Sequence, residues 1–196
     1  MTMEKKKIGV RDLVNTGIFT VLNFVLFFVT AFTGFVPAMA VFFTVLLAFA
    51  AGIPNILFFT KIDKFGLVTI MGTLLGLINF LSGYGPYPLI AGIGCGLISD
   101  LIMKAGKYKG WRTMLLGYVV FSEWAIGTQL PMFIMGKSYA EMYRESQGDE
   151  FANTLAVLVQ GYMVPVVIAS IAIAAVFGAY LGRAVLNKHF RRAGIV

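Results

Sequence analysis

The sequence predicts an all-α membrane protein, with six transmembrane helices in a single domain covering residues 1–196. Of its 196 residues, 59% are hydrophobic and 13% are charged, and the mean hydropathy is +0.85. Soluble domains carry about 25% charged residues, and a soluble fold of this length cannot bury so much apolar surface. The composition therefore excludes a soluble globular domain, a disordered chain and a coiled coil.

Apolar runs between charged residues define the six spans. A helix needs about 20 residues to cross a bilayer, so six spans leave no room for a soluble catalytic domain. The third and fourth runs are short, and the sixth is long enough to tilt or to project beyond the hydrocarbon. The predicted spans are about residues 13–34, 37–60, 66–83, 87–103, 111–135 and 153–183.

The lysines and arginines predict the orientation. Cytoplasmic loops of membrane proteins are enriched in Lys and Arg, and the alternate loops of this chain differ sharply. The loops expected outside the cell carry only two basic residues, Lys137 and Arg144. We therefore expect both termini in the cytoplasm of a multi-pass protein. The basic residues of the expected cytoplasmic side are Lys5, Lys6, Lys7, Arg11, Lys61, Lys64, Lys104, Lys107, Lys109, Arg112, Arg183, Lys188, Arg191 and Arg192.

Two of the expected outer connections have distinctive compositions. The first, residues 82–88, is a loop rich in Gly, Pro and Tyr and suited to turns. It and the second connection, residues 137–152, are expected to close over the outer mouth of a binding pocket. Residues 137–152 hold four acidic side chains. That stretch is either a short amphipathic segment covering the mouth or a solvated acidic loop, and the pattern leaves both open.

Glu123 is the prominent ionisable residue within a predicted span. A charged residue at the bilayer centre costs roughly 2.5–3.5 kcal/mol even on the lenient insertion scale, so Glu123 is either a ligand contact or proton site, or a carboxyl group that joins helices. Gln129 follows six residues later, about 120° away around an ideal helix. At least one of the two is expected to face a neighbouring helix instead of a common cavity.

Polar and aromatic side chains cluster at one depth in the outer half of the predicted bundle. Pro131 and Pro165 interrupt helices there, and irregular backbone at membrane depth is tolerated where it is buried or lines a cavity. Simple packing kinks and interfacial aromatic belts are the alternatives. The predicted substrate-binding residues are Asn79, Tyr84, Tyr87, Glu123, Trp124, Gln129, Gln160 and Tyr162.

Small residues recur at helical spacing in several spans. Such residues let helix backbones approach closely in a membrane, which predicts close packing at Gly72 with Gly76 and at Gly92 with Gly96. Asp100, near Lys104 in the sequence, is expected to form an ion pair or to tether helices. The sixth span carries the four-residue spacing of Ser170, Ala174, Gly178 and Gly182, and the first carries the polar stripe of Thr16, Thr20, Asn23 and Thr30.

Several motifs of catalysis are missing from the sequence. There is no Gly-x-x-x-x-Gly-Lys sequence for ATP hydrolysis, and the one histidine, His189, lies in the tail. We therefore expect neither an enzyme nor a cofactor or metal site in this chain, and no nucleic-acid partner.

Five stretches of the sequence together carry a family pattern: Leu81–Gly85, Gly96–Leu101, Gly106–Lys109, Gly117–Ser122 and Lys188–Val196. They resemble the Trep-Strep family of hypothetical integral membrane proteins. The resemblance covers nearly the whole chain, and the tail is its most specific part. The family is grouped with the substrate-binding S components of energy-coupling factor (ECF) transporters.

The resemblance implies an S-component-like bundle in a bacterial cytoplasmic membrane that captures a small vitamin-like nutrient. Its implied partners are a membrane T component and two cytoplasmic ATPases, which use the ATP. S components commonly dock through small residues of the first and sixth helices, which suggests Thr16, Thr20, Ser170, Ala174, Gly178 and Gly182 here, although threonine departs from the usual alanine. The alternatives are a self-sufficient small transporter or exporter, and a membrane-embedded lipid-modifying enzyme relying on Glu123 or Asp100.

Overall fold

The computed structural model describes residues 7–190, and within them every regular element is helical. Short 3-10 or π-helical turns follow α1, α4, α6 and α11, at Phe32–Phe35, Phe80–Tyr84, Glu123–Thr128 and Leu186–Phe190. The α-helices of this part of the chain are α1 (Val10–Ala31), α2 (Pro37–Ala50), α3 (Gly52–Lys61), α4 (Leu67–Asn79), α5 (Tyr87–Ala105), α6 (Trp111–Ser122), α7 (Leu130–Met135), α8 (Lys137–Glu141), α9 (Arg144–Gln147), α10 (Asp149–Leu158) and α11 (Met163–Val185).

Helix α1 is apolar on its outside and polar on its buried stripe. The Asp12 carboxylate accepts a hydrogen bond from the Gly9 backbone N–H (2.7 Å) and so holds the start of the helix. Thr16 and Thr20 are buried and donate their hydroxyls to backbone carbonyls one turn earlier. Large apolar side chains such as Val21 are exposed instead, as a lipid-facing surface requires.

The second predicted span is a bent pair of helices. Helices α2 and α3 meet at Ala51 with an angle of 43°, and Pro54 follows shortly after. Helix α11 packs into this bend through glycines. A Cβ atom added at Gly178 would lie 2.5 Å from the Phe49 carbonyl oxygen, and one added at Gly182 would lie 2.6 Å from that of Gly52. The predicted role of these glycines in close helix packing is confirmed.

Helices α4 and α5 form a second close contact, again through glycine. The backbones of Gly72 and Gly92 touch directly, and a Cβ added at either residue would overlap the other's carbonyl group. Gly76 lies equally close to Pro88 and Leu89. The sequence prediction of close packing at the two glycine pairs is therefore confirmed, and the two short spans are held together at backbone distance.

The predicted fifth span, residues 111–135, is broken and does not form one continuous helix. Helix α6 ends at Ser122, a 3-10 segment follows, and α7 is one and a half turns long. Within residues 7–190, four helices are long and apolar enough to cross a membrane, or five with the bent α2–α3 pair. Six crossings stay a prediction.

The predicted sixth span, residues 153–183, combines two helices that the structure separates. Helix α10 ends at Leu158, and α11 begins at Met163. Gly161 and Pro165 sit at this break, so the backbone turns where the sequence places its helix-breaking residues. The long apolar helix runs from Met163 to Val185, and α10 belongs to the connection between α7 and α11.

Both described ends of the chain lie at the same end of the bundle. Near the start of α1, the Lys64 ammonium forms a salt bridge with the Asp12 carboxylate at 2.5 Å. Near the end of α11, the Arg183 guanidinium lies 4.5 Å from the centre of the Trp111 ring. We call this end, formed by residues 7–12, 61–66, 104–112 and 183–190, the basic end. Lys5, Lys6, Arg191 and Arg192, and most of the tail that carries the resemblance, lie outside the described residues.

Candidate functional site

A cavity of about 300 Å³ opens at the end of the bundle opposite the basic end. We call it the aromatic cavity, since eight of its lining side chains are Phe or Tyr. Its size lies at the lower end of the range for small-molecule sites, about 300–1,000 Å³. It is lined by Phe28, Ala31, Phe32, Gly34, Phe35, Ala40, Phe43, Tyr84, Thr128, Gln129, Met132, Tyr139, Tyr143, Gln147, Phe151 and Leu155.

The inner wall of the aromatic cavity is a set of packed rings centred on Phe27. Phe27 meets Phe43 and Tyr84 edge-on, with ring centres 5.6 and 5.8 Å apart. Trp124 packs on the same ring at 5.9 Å. Because Phe27 and Trp124 are themselves buried, they hold the cavity-facing rings in fixed positions.

Gln129 fixes the wall formed by α2. Its amide nitrogen donates to the Val41 carbonyl (2.6 Å) and the Ala40 carbonyl (3.3 Å). Its amide oxygen accepts from the Thr44 hydroxyl at 3.0 Å. Gln129 therefore joins the broken 123–135 segment to α2, and most of its hydrogen-bonding capacity is already used.

A roof covers the cavity, formed by residues 137–158 in helices α8, α9 and α10. Tyr139 and Tyr143 lie one turn apart with their hydroxyls 3.1 Å from each other, and the Phe151 ring packs on Tyr143 at 6.0 Å. Burial raises the pKa of Tyr139, so this phenol stays protonated at neutral pH. Of the two interpretations of this stretch, the structure supports the covering segment.

Arg144 holds the roof together on its solvent side. Its guanidinium makes two bonds to Glu141, at 2.6 and 2.7 Å, one to Asp149 at 2.5 Å and one to Asn153 at 3.0 Å. The guanidinium beside Glu141 lowers the pKa of that carboxyl group. One side chain thus links α8, α9 and α10.

The structure brings two of the predicted binding residues to the cavity wall. Tyr84 and Gln129 line the cavity, while Trp124 lies behind Phe27 as support. Tyr84 arrives there because a π-helical turn with Gly83 at φ +96° redirects the chain after α4. Among the described residues, the Tyr84 hydroxyl and the Gln147 amide have no hydrogen-bond partner, so both are free to meet a ligand.

The other predicted binding residues do not line the aromatic cavity. Gln160, in the break between α10 and α11, donates to the Ala156 carbonyl of α10 (2.6 Å), and Tyr162 is 65% exposed. Asn79 is fully buried and donates to the Leu75 carbonyl. Tyr87 is half-buried at the start of α5, and both Glu123 carboxylate oxygens are buried without a partner in the described part of the chain. Gln129 lines the cavity and Glu123 does not, but residues 123–128 form a 3-10 segment to which the α-helical spacing used in the prediction does not apply.

The expected partner interface is largely inside the bundle. Thr16, Thr20, Gly178 and Gly182 are buried by the chain's own helices, because their small size lets α1 and α11 pack closely on neighbours. Ser170 and Ala174 are half-buried. This placement corrects the expectation that these positions form a free docking stripe.

Two structural roles of polar residues also emerge. The Asp100 carboxylate accepts bonds from the Thr69 backbone N–H (2.7 Å) and hydroxyl (2.6 Å), so it tethers α5 to the start of α4 and does not pair with Lys104. Asn23 and Asn55 exchange side-chain bonds of 3.0 and 2.7 Å.

Sequence reasoning missed Asn55 and the aromatic roof. Asn55 follows Pro54 in a predicted span, and an amide at membrane depth is itself a signal for a partner. Tyr139 and Tyr143 are one helical turn apart, and Phe151 follows in the same connection. Their spacing predicts a common face only once the roof is known to be helical.

The comparisons with known proteins agree with the membrane composition. A family model described as a hypothetical bacterial integral membrane protein (Trep_Strep) matches residues 10–192. No curated protein matches the chain, and no solved structure does. The match spans nearly the whole sequence and agrees with several apolar helices long enough to cross a bilayer. The chain therefore belongs to the Trep_Strep family of bacterial integral membrane proteins and is a multi-pass membrane protein.

Proposed function

We propose that this chain is the substrate-binding S component of an ECF-type importer. In this proposal it captures a small nutrient from outside, and a T component with two ATPases drives release inward. The observation that carries the proposal is the roofed aromatic cavity at the end opposite the basic end. The excess of Lys and Arg at the basic end supports an outward-facing cavity through the positive-inside rule.

The cavity lining defines a substrate class. Among the described residues, no Lys, Arg, Asp, Glu or His side chain lines the cavity. Burying an anion without a positive partner is costly, whereas aromatic faces stabilise flat rings and cations. The substrate is accordingly an uncharged or cationic ring compound, oriented by the Tyr84 hydroxyl and the Gln147 amide.

The roof is built to open on glycine hinges. Gly136, just before α8, has φ +56° and ψ −127°, and Gly148, between α9 and α10, has φ +87° and ψ 171°. Both conformations are essentially restricted to glycine. Opening about these two points would admit a ligand while the packed wall behind Phe27 stays in place.

A docking surface for the T component must lie outside the buried positions of α1 and α11. Ile18 and Ile173 are exposed on these helices, so a partner docking there would contact lipid-facing apolar side chains. The proposed complex is therefore unchanged, but its interface is formed by the exposed residues of α1 and α11 instead of the buried ones.

The test of binding is mass spectrometry of small molecules retained by the protein after purification in mild detergent. Tyr143→Ala removes a ring from the roof, and Tyr162→Ala, at an exposed tyrosine away from the cavity, is the matched control. We expect one vitamin-sized compound in the wild type and the control, with at least about tenfold less in Tyr143→Ala, as for a lost aromatic contact. Equal retention in both variants would contradict binding in the aromatic cavity.

Co-purification separates the importer from the two alternatives. An S component should bring down a T component and an ATPase pair from its own membranes. Transport into vesicles by the purified chain alone would instead support a self-sufficient transporter. A lipid product whose formation depends on Glu123 or Asp100 would support the enzyme.

A further inference from the structure

A second cavity, of about 240 Å³, lies at the basic end between α3, α6 and α11. It is separate from the aromatic cavity and combines cationic, polar and apolar side chains. Neither the membrane family nor the proposed binding of a nutrient assigns it a role. Its lining is Ile56, Thr60, Lys109, Trp111, Met114, Arg183, Leu186 and Asn187.

The two cations of this cavity are not neutralised by the part of the chain that the structure describes. Among residues 7–190, no Asp or Glu forms an ion pair with Lys109 or Arg183. Lys64, by contrast, is paired with Asp12 at 2.5 Å. Two unpaired positive charges facing one concave site favour an anion there.

Arg183 is held in place by an aromatic ring. Its guanidinium lies 4.5 Å from the centre of the Trp111 ring, and Trp111 packs edge-on against Tyr180 at 5.5 Å. This cation–π contact restrains the guanidinium, whose N–H groups can donate in pairs to phosphate oxygens.

Lys109 is placed by an unusual turn at the end of α5. Lys107 and Tyr108 both have positive φ, +51° and +58°, a conformation uncommon for residues other than glycine. The Lys109 backbone N–H then donates to the Gly106 carbonyl at 3.1 Å. The turn leads the chain directly into α6 and leaves Lys109 in the lining of the cavity, which Arg183 also lines.

The apolar side of the cavity indicates where the anion comes from. Ile56, Met114 and Leu186 line it beside the cations, so the site offers hydrocarbon next to positive charge. The basic end carries the chain's excess of Lys and Arg, and Trp is enriched at membrane–water boundaries. Basic pockets between transmembrane helices on the cytoplasmic side bind phospholipid headgroups.

We propose that this cavity binds a phosphate group, supplied by the headgroup of an anionic phospholipid. Arg183 and Lys109 donate to the phosphate oxygens, the Asn187 amide adds a neutral donor, and the glycerol and upper acyl carbons cover Ile56, Met114 and Leu186. The lipid joins α3, α6 and α11 at the end where α6 begins.

The test compares lipid retention by native mass spectrometry after the protein is reconstituted with phosphatidylglycerol or phosphatidylcholine. The variant is Arg183→Gln. The matched control is Lys104→Gln, because Lys104 also lies over an aromatic ring at the basic end, 5.2 Å from the centre of the Phe65 ring, but outside the cavity. We expect the wild type and Lys104→Gln to retain phosphatidylglycerol over phosphatidylcholine, and Arg183→Gln to retain about tenfold less, as for one lost charge-assisted hydrogen bond.

Thermal unfolding provides the second readout and distinguishes the sources of phosphate. Phosphatidylglycerol should raise the Tm of the wild type more than phosphatidylcholine does, and this difference should shrink in Arg183→Gln even if that variant is less stable. Equal retention of the two lipids by the wild type, or equal loss in both variants, would overturn the site. A stabilisation by inorganic phosphate in phosphatidylcholine as large as that by phosphatidylglycerol would overturn the lipid as the source.

Discussion

The glycine contacts of the bundle and the aromatic cavity differ in how closely the helices approach one another. Where α4 meets α5 and where α11 meets the α2–α3 bend, glycines bring backbones into direct contact. At the end opposite the basic end, helices break at Glu123, Val159 and Gly83, and large rings enclose space instead. The bundle is thus rigid through its glycines and hollow where its helices are interrupted.

Polar groups differ between the two regions in the same way. Asn23 with Asn55 and Asp100 with Thr69 are joined by hydrogen bonds inside the packed region. In the cavity, Tyr84 and Gln147 are without such partners among the described residues. The polar side chains of the packed region are thus used to join helices, whereas the Tyr84 hydroxyl and the Gln147 amide face the cavity where the helices are interrupted.

The largest effect should come from breaking a glycine contact. Gly92→Ala places a methyl group against the Gly72 carbonyl, which no side-chain movement relieves, and we expect a loss of about 1–3 kcal/mol or more. Gly94→Ala on the same helix meets nothing within 4 Å and should gain about 0.5–1 kcal/mol. Unfolding in detergent measures both, and equal Tm values would contradict the close contact.

The next effect tests the buried amide pair. Asn55→Leu leaves the Asn23 amide without its partner and should cost about 1–2 kcal/mol. Adding Asn23→Leu removes the unpaired group, so the double variant should be less destabilised than the sum of the single variants. Additive losses in the same unfolding assay would show that the two amides do not interact.

A smaller effect concerns the roof and pH. The pKa of Glu141 is lower in the folded chain than its ordinary value of 4.5 because Arg144 lies beside it. The stabilisation is therefore complete above pH 4.5 and is lost as the pH falls through the lowered pKa. The protection of the amides of residues 141–149, measured relative to their intrinsic exchange rate at each pH, should fall only below pH 4.5. In Arg144→Gln this protection should already be reduced at neutral pH, and an unchanged pH profile would exclude the link.

The smallest expected effect separates the two interpretations of Glu123. Its carboxylate oxygens are buried away from the lining of the aromatic cavity, so Glu123→Gln should retain the bound compound within about twofold of wild type, well under the tenfold that 1.4 kcal/mol represents. Tyr143→Ala serves as the comparison variant in the same extraction. A tenfold loss in Glu123→Gln would place the carboxyl group in contact with the ligand.

Much of the fold could be predicted from the sequence because it depends on local patterns. Apolar runs gave the helices α1, α4, α5 and most of α11, and glycine spacing gave the close contact of α4 with α5. The breaks in the helices at Glu123 and Val159 were harder to predict from the sequence. Hydropathy alone does not distinguish one long helix from two short ones, and the signals of Pro131 and Gly161 were ambiguous between a kink and a break.

The position of the candidate site along the bundle could be predicted from the sequence, but most of the residues that line it could not. Tyr84 and Gln129 were identified because they are polar and lie near the outer end of their spans. Tyr139, Tyr143 and Phe151 were not, since they belong to a connection whose helices pack back over the bundle. That placement depends on contacts far apart in sequence, such as α10 with α2, which no local pattern records.

The proposed function requires the aromatic cavity to face outside and the basic end to face the cytoplasm. Cysteine labelling in intact cells tests it directly, with Cys95, the chain's one cysteine, replaced by alanine. Gln147→Cys lies in the cavity roof, and Asn187→Cys lies exposed at the basic end. A membrane-impermeant maleimide should label Gln147→Cys in intact cells and Asn187→Cys only after the cells are permeabilised. Labelling of Asn187→Cys alone in intact cells would show that the basic end faces outside and would contradict the proposed orientation.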